Sequence, residues 1–165
     1  MYYANNFLTF SIFGHTFETF IYKLLKVSNK SGFMKLFWTP FYGCGVLLDI
    51  IIYDYLKKKI KDKKKRIVIL SLSLLIILSL LEYIGGILLL KLFNKVMWSY
   101  TNIPFHIGKY VSLPSSLLWV LMSLLYLFVI RKYTDKLISK IHPSITIVLS
   151  IIFAIDLIIS IVSNI

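Results

Sequence analysis

Five long apolar stretches alternate with short polar gaps along the chain. They run near Phe7 to Leu25, Pro40 to Leu56, Ile67 to Phe93, Leu113 to Ile130 and Pro143 to Val162. A helix of about 20 apolar residues crosses the hydrocarbon core of a bilayer, with a range of about 17–25. Each stretch is therefore expected to span. The third has 27 residues, about 40 Å as a helix, and is expected to tilt, to kink at Gly85-Gly86 or to leave the bilayer before Lys91. One gap, Asn94 to Ser112, is longer than the rest and holds Trp98, Tyr100, Pro104, Phe105, His106, Gly108 and Tyr110. Amphipathic aromatics suit an interfacial or re-entrant segment. The pattern predicts an all-α, polytopic transmembrane bundle, a single integral-membrane domain over residues 1–165.

Composition sharpens this. The chain is 58% hydrophobic and 16% charged, whereas a soluble domain is about 45–50% apolar and about 25% charged. A soluble enzyme is excluded. The net charge of +12 would suggest nucleic acid in a soluble protein. Here the basic residues crowd the ends of apolar runs, where they set membrane orientation, so the expected partner is the lipid bilayer and not nucleic acid. The gap at Lys57–Arg66 carries eight basic residues and Arg131–Lys140 four. The gap after the first stretch has four (Lys23, Lys26, Lys30, Lys35), and that after the third has three (Lys91, Lys95, Lys109). With five spans, this bias puts the N-terminus in the cytoplasm and the C-terminus outside, in the cell membrane. Lys57–Arg66 is read as a topogenic anchor, and as a candidate contact for anionic lipid or a partner. The first eleven residues hold no Lys or Arg, unlike a cleavable leader, so the first stretch is expected to be retained. Cys44 stands alone, which leaves no internal disulfide.

Four of the seven acidic residues, Glu18, Asp49, Glu82 and Asp156, fall near the middle of apolar stretches. Each costs about 2.5–3.5 kcal/mol at a helix centre, so compensation inside the bundle is expected. His15, three residues before Glu18, is the nearest positive partner on a helix face. Burial favours the neutral form of a carboxyl, and proton or cation handling is the functional reading for Glu18 and Glu82. The structural reading is interhelical hydrogen bonding to hydroxyls such as Thr19, Ser71 or Ser79, and it is preferred for Asp49 and Asp156. Gly43 and Gly45 after Pro40, and Gly86 beside Glu82, allow helices to approach closely. Tyr42, Trp38 and Tyr83 read as belt or packing aromatics.

No phosphate-binding loop, zinc motif or nucleophile elbow is present in the sequence. His15, His106 and His142 are scattered. No catalytic residue, cofactor or metal is expected.

The motifs that do occur resemble a small bacterial family of type IV ABC-transporter permeases, the CmpB-like family. Gly14-His15-Thr16-Phe17-Glu18 resembles its Gly-Trp-x-x-Glu motif, with His in place of Trp. Gly32-Phe33 and then Pro40, Tyr42, Gly43 and Gly45 follow its second, glycine-rich motif. Leu81-Glu82, Gly86 and Lys91-Leu92-Phe93 fit a third, which continues through Trp98, Tyr100, Asn102, Pro104, Phe105, Gly108 and Leu113, and Trp119 also fits. Leu90 and Ser99 stand where the family has acids. The similarity runs from about residue 7 to 130. It implies a polytopic permease subunit whose ATPase is a separate chain, with no substrate specified.

Two readings follow. In the first, the chain is a transport component with a polar mid-membrane centre at Glu18 and Glu82, modulated by His15. Gly14, Pro40, Tyr42, Gly43, Gly45 and Gly86 then serve packing or gating, and Trp98–Tyr110 closes the outer mouth. So few helices enclose little volume, so a homo-oligomer or another membrane chain is expected. In the second, it is a non-transporting scaffold or regulator whose buried acids are structural.

Overall fold

A computed structural model describes residues 1–24, 26 and 33–164; Leu25, Lys30 and Gly32 lie outside the described residues. Six α-helices follow in order: α1 Tyr2–Leu24, α2 Pro40–Lys59, α3 Lys63–Phe93, α4 Leu113–Leu125, α5 Arg131–Ile138 and α6 Pro143–Val162. A π-helical turn, Tyr126–Ile130, joins α4 to α5. Two-residue strands β1 (His106–Ile107) and β2 (Val111–Ser112) form an antiparallel hairpin. The all-α expectation holds.

The number of spans is corrected. Among the described residues, three helices are long and apolar enough to cross a membrane: Lys63–Phe93, Leu113–Ile138 and Pro143–Val162. The first two expected spans form helices but fall short in composition. α1 carries Asn5, Asn6, His15, Glu18 and Lys23, and α2 carries Asp49, Asp54 and a triple-lysine end. The third span does not break at Gly85-Gly86. α3 continues unbroken to Phe93, closed at its start by Asp62, which accepts from the Lys65 amide at 2.7 Å. It ends at Asn94, whose left-handed φ of 52° caps the carbonyls of Leu89 and Leu90.

The chain divides into two compact units, Met1–Leu47 with Tyr133–Ile165, and Leu48–Lys132. In the first, α1 packs on α6. Thr146 Oγ1 donates to Asn5 Oδ1 at 2.5 Å, and Phe7 meets Phe153 edge-on at 5.2 Å. Leu8, Met34 and Trp38 form the buried core with Ile12, Phe33, Leu149 and Leu157 around it. Residues 33–39 are fastened by their backbone. The Leu36 amide donates to Asp156 Oδ2 and the Lys35 amide to Ser160 Oγ, both at 3.1 Å, while the Thr39 amide reaches the Ser11 carbonyl at 3.0 Å. Pro40 opens α2 at a position where its missing N–H costs nothing. A Cβ at Gly14 would collide with the Tyr42 ring, and one at Gly43 with Ser11 and Phe7; these are the close approaches expected of small residues. Gly45 is half-buried.

In the second unit, α3 packs on α4 through a hydroxyl pair, Ser79 and Ser116, 2.7 Å apart. The loop 94–112 folds back along α3. Tyr110 lies over Gly86, where a Cβ would strike its ring. Trp98 Nε1 donates to the Tyr110 carbonyl at 3.2 Å, and the Tyr100 amide to that of Lys109 at 2.7 Å. Gly108 turns the hairpin at φ +61°. Ser112 and Ser115 cap α4 reciprocally, with Pro114 in its first turn, a start signal of two matched bonds.

Burial is inverted relative to a water-soluble fold. The buried residues of α6 are Thr146, Asp156 and Ser160, and those of α4 are Ser116, Val120 and Ser123. Ile147, Ile151, Ile155 and Ile158 of α6, and Leu117, Leu118 and Leu121 of α4, are exposed. Polar groups packed inward under an apolar exterior are the arrangement that lipid, not water, stabilises.

Candidate functional site: a buried acid under two aromatic donors

Glu82 lies on the buried stripe of α3 with Leu70, Leu74, Leu78 and Gly86, a repeat of four that keeps them on one face. Only 7% of it is exposed. Tyr100 Oη and Trp119 Nε1 both donate to its Oε1, each at 2.9 Å, while Oε2 is buried with no partner among the described residues. Loop and helix therefore converge on one carboxylate oxygen. Glu82 precedes the end of α3 by eleven residues, about 16 Å, so the loop descends that far along the helix to reach it. Burial first, and then the Glu82 charge, push the Tyr100 pKa upward; the phenol stays a donor. Tyr100 and Trp119, with Ile103, Pro114, Ser115 and Leu118, line an open depression of about 310 Å³.

The other predicted positions have separate settings. Glu18 is half-buried in the first unit and accepts from Tyr22 Oη at 2.8 Å. His15 is half-buried, its Nδ1 without a partner among the described residues. Of the outer-loop motif, Trp98 and Tyr100 are built into the loop's contacts. Phe105, at φ 58°, stands 76% exposed and contributes its carbonyl to the Leu113 amide at 3.1 Å. Pro104 is exposed at the same tip. Among the described residues no cluster of three or more His, Cys, Asp or Glu could hold a metal ion.

Asp49, 3% exposed, accepts from Ser123, the kind of hydroxyl contact expected for it, though from a serine that the sequence does not single out. Arg131, which in the sequence reads only as a topogenic charge, holds Asp54 in an ion pair of 2.8 Å. The hydroxyls proposed for the acids serve elsewhere: Ser71 Oγ donates to the Ile67 carbonyl at 2.9 Å, and Ser79 pairs with Ser116. Asp156 does what the structural reading asked, but for backbone amides.

Three apolar helices among the described residues, inverted burial and intrahelical acids hydrogen-bonded to neighbouring elements define an integral membrane protein. Within that class, the chain belongs to the family described as "Putative ABC-transporter type IV", whose family model matches residues 5–163. No curated protein and no solved structure matches the chain.

Proposed function

We propose that the chain is the permease subunit of a transporter, with Glu82 as its polar centre and its ATPase on a separate chain. The observation that carries this is the Glu82 carboxylate: buried, one oxygen shared by two aromatic donors that line an open depression, the other without a partner among the described residues. A purely structural acid such as Asp156 is used to fasten backbone; Glu82 fastens no backbone, and both of its donors line an open depression. Glu18 and His15 form a second, minor polar position. No catalytic step is part of the proposal. The subunit acts as a homo-oligomer or with another membrane chain, since so few helices enclose little volume on their own.

Orientation follows from charge on three spans. Eight basic residues at Lys57–Arg66 and four at Arg131–Lys140 flank spans on one side, against Lys91, Lys95 and Lys109 on the other. The richer side faces the cytoplasm. The loop over Glu82 then lies outside, as does the C-terminus, and the N-terminal segment lies inside.

The test is co-purification from native membranes in mild detergent, with mass spectrometry of what remains bound, beside a growth assay of Glu82→Gln and Glu18→Gln. A stoichiometric ATPase, with loss of the phenotype at normal protein levels for Glu82→Gln, is the expected result. Its reproducible absence together with a normal Glu82→Gln phenotype would place the scaffold reading first.

A further inference from the structure

We propose that the depression beside Tyr100 and Trp119 recognises an organic cation, an alkylammonium group carried on an apolar body. The inference deepens the reading of Glu82 as a polar centre and rests on it for its use in transport.

Both rings that line the depression are tied at their polar ends to the same Glu82 carboxyl oxygen, each by a 2.9 Å bond. A phenol or indole donating to a carboxylate gains electron density over its ring, which strengthens the negative face that attracts a cation. Glu82 therefore acts on the depression through the two rings as well as by its own charge. The remaining lining residues, Ile103, Pro114, Ser115 and Leu118, are mostly apolar and include no Lys or Arg. An anion finds no counter-charge there. A bare metal ion finds too few ligating groups, and would keep its water. An alkylammonium presents spread positive charge to the rings and methylene surface to Ile103, Pro114 and Leu118. The volume of about 310 Å³ is at the lower end for small-molecule sites, about 300–1,000 Å³, and favours a compact head group.

The probe pair is choline and its uncharged carbon isostere, 3,3-dimethylbutanol, titrated calorimetrically into the purified full chain in detergent at constant ionic strength. Saturable choline binding is expected, with the isostere at least about tenfold weaker. Glu82→Gln, which keeps an acceptor oxygen for both rings but removes the charge, and Trp119→Leu should each weaken choline by about tenfold. Tyr100→Phe, which keeps the ring but loses its bond to Glu82, should weaken it less. Thermal unfolding of each variant shows that it is folded. Equal binding of choline and isostere, no saturable binding by folded protein, or an unchanged Glu82→Gln would each overturn the proposal. If choline binding fails while Glu82→Gln still abolishes the growth phenotype, this inference falls and the transport reading stands. Binding intact with no associated ATPase and normal growth of Glu82→Gln would sink the transport reading and leave the site.

Discussion

Arg131 grips Asp54 with both terminal guanidinium nitrogens, each 2.8 Å from a different carboxylate oxygen, and stands 5.7 Å from the centre of the Tyr53 ring. Bidentate geometry and partial shielding, with side-chain exposures of 15% and 38%, separate this pair from an ordinary surface contact. A double-mutant cycle on Asp54→Asn and Arg131→Gln, read by thermal unfolding in one detergent, should give a coupling of about 1–2 kcal/mol. A value under about 0.5 kcal/mol would mean that the pair holds nothing together.

The π-helical turn makes that pair compatible with the Asp49–Ser123 bond. Ser123 and Arg131 are eight positions apart, and a regular helix would leave them about 80° out of phase. A π turn absorbs one residue, returning the pair to within about 20° of the same face. Deleting exposed Val129 inside Tyr126–Ile130 should therefore convert the turn to α-helix and keep both contacts, with a stability loss of about 1 kcal/mol or less. Deleting Leu121, also exposed and before Ser123, should lose the folded protein, because Ser116 and Trp119 rotate away from α3. Equal damage from the two deletions, seen in detergent gel filtration, would count against the register argument.

Gly86 sets how closely the outer loop can lie on α3. Gly86→Ala should push Tyr110 aside at a cost of about 1–3 kcal/mol. The loop should then become more readily cleaved at Lys95 and Lys109 in limited trypsin digestion. Tyr110→Ala combined with Gly86→Ala should recover part of the loss. If the single alanine leaves proteolysis unchanged, the loop is not held by this contact.

Asp156 fastens residues 33–37 through an amide, so what matters there is an acceptor oxygen and not a charge. Asp156→Ala should expose the Leu36 amide to hydrogen exchange by up to about tenfold, in line with a lost hydrogen bond of about 0.5–1.5 kcal/mol. Asp156→Asn should restore most of the protection. Failure of Asn to do so would point to the charge itself.

Legibility divided along the range of the interactions. The apolar runs predict helices because spanning is a local property of about 20 residues. Gly43 and Gly86 were readable as close approaches because only a missing side chain lets another ring or backbone in. Glu82 stood out because an acid in an apolar run needs company. Its company did not: Tyr100 and Trp119 lie 18 and 37 residues away, and nothing local marks them. The π turn is equally silent, since Tyr126–Ile130 reads as uninterrupted helix. In the sequence α1 and α2 read as spans because phenylalanines and isoleucines mask the polar residues between them. In α1 the buried face is Asn5, Asn6, Leu8, Ser11 and Gly14, while Phe13, Phe17 and Phe20 are exposed.

The length of α3 bears on the membrane itself. Its apolar part, Ile67 to Leu90, is about 36 Å long, while the 20 residues of α6 measure about 30 Å, the thickness of a typical hydrocarbon core. No flat bilayer matches both helices when upright. Either α3 leans from the normal, or its last turns leave the hydrocarbon core, or the lipid around it thickens. The protein thus carries its own demand on bilayer thickness, and membranes of longer acyl chains should favour an upright α3 over a leaning one.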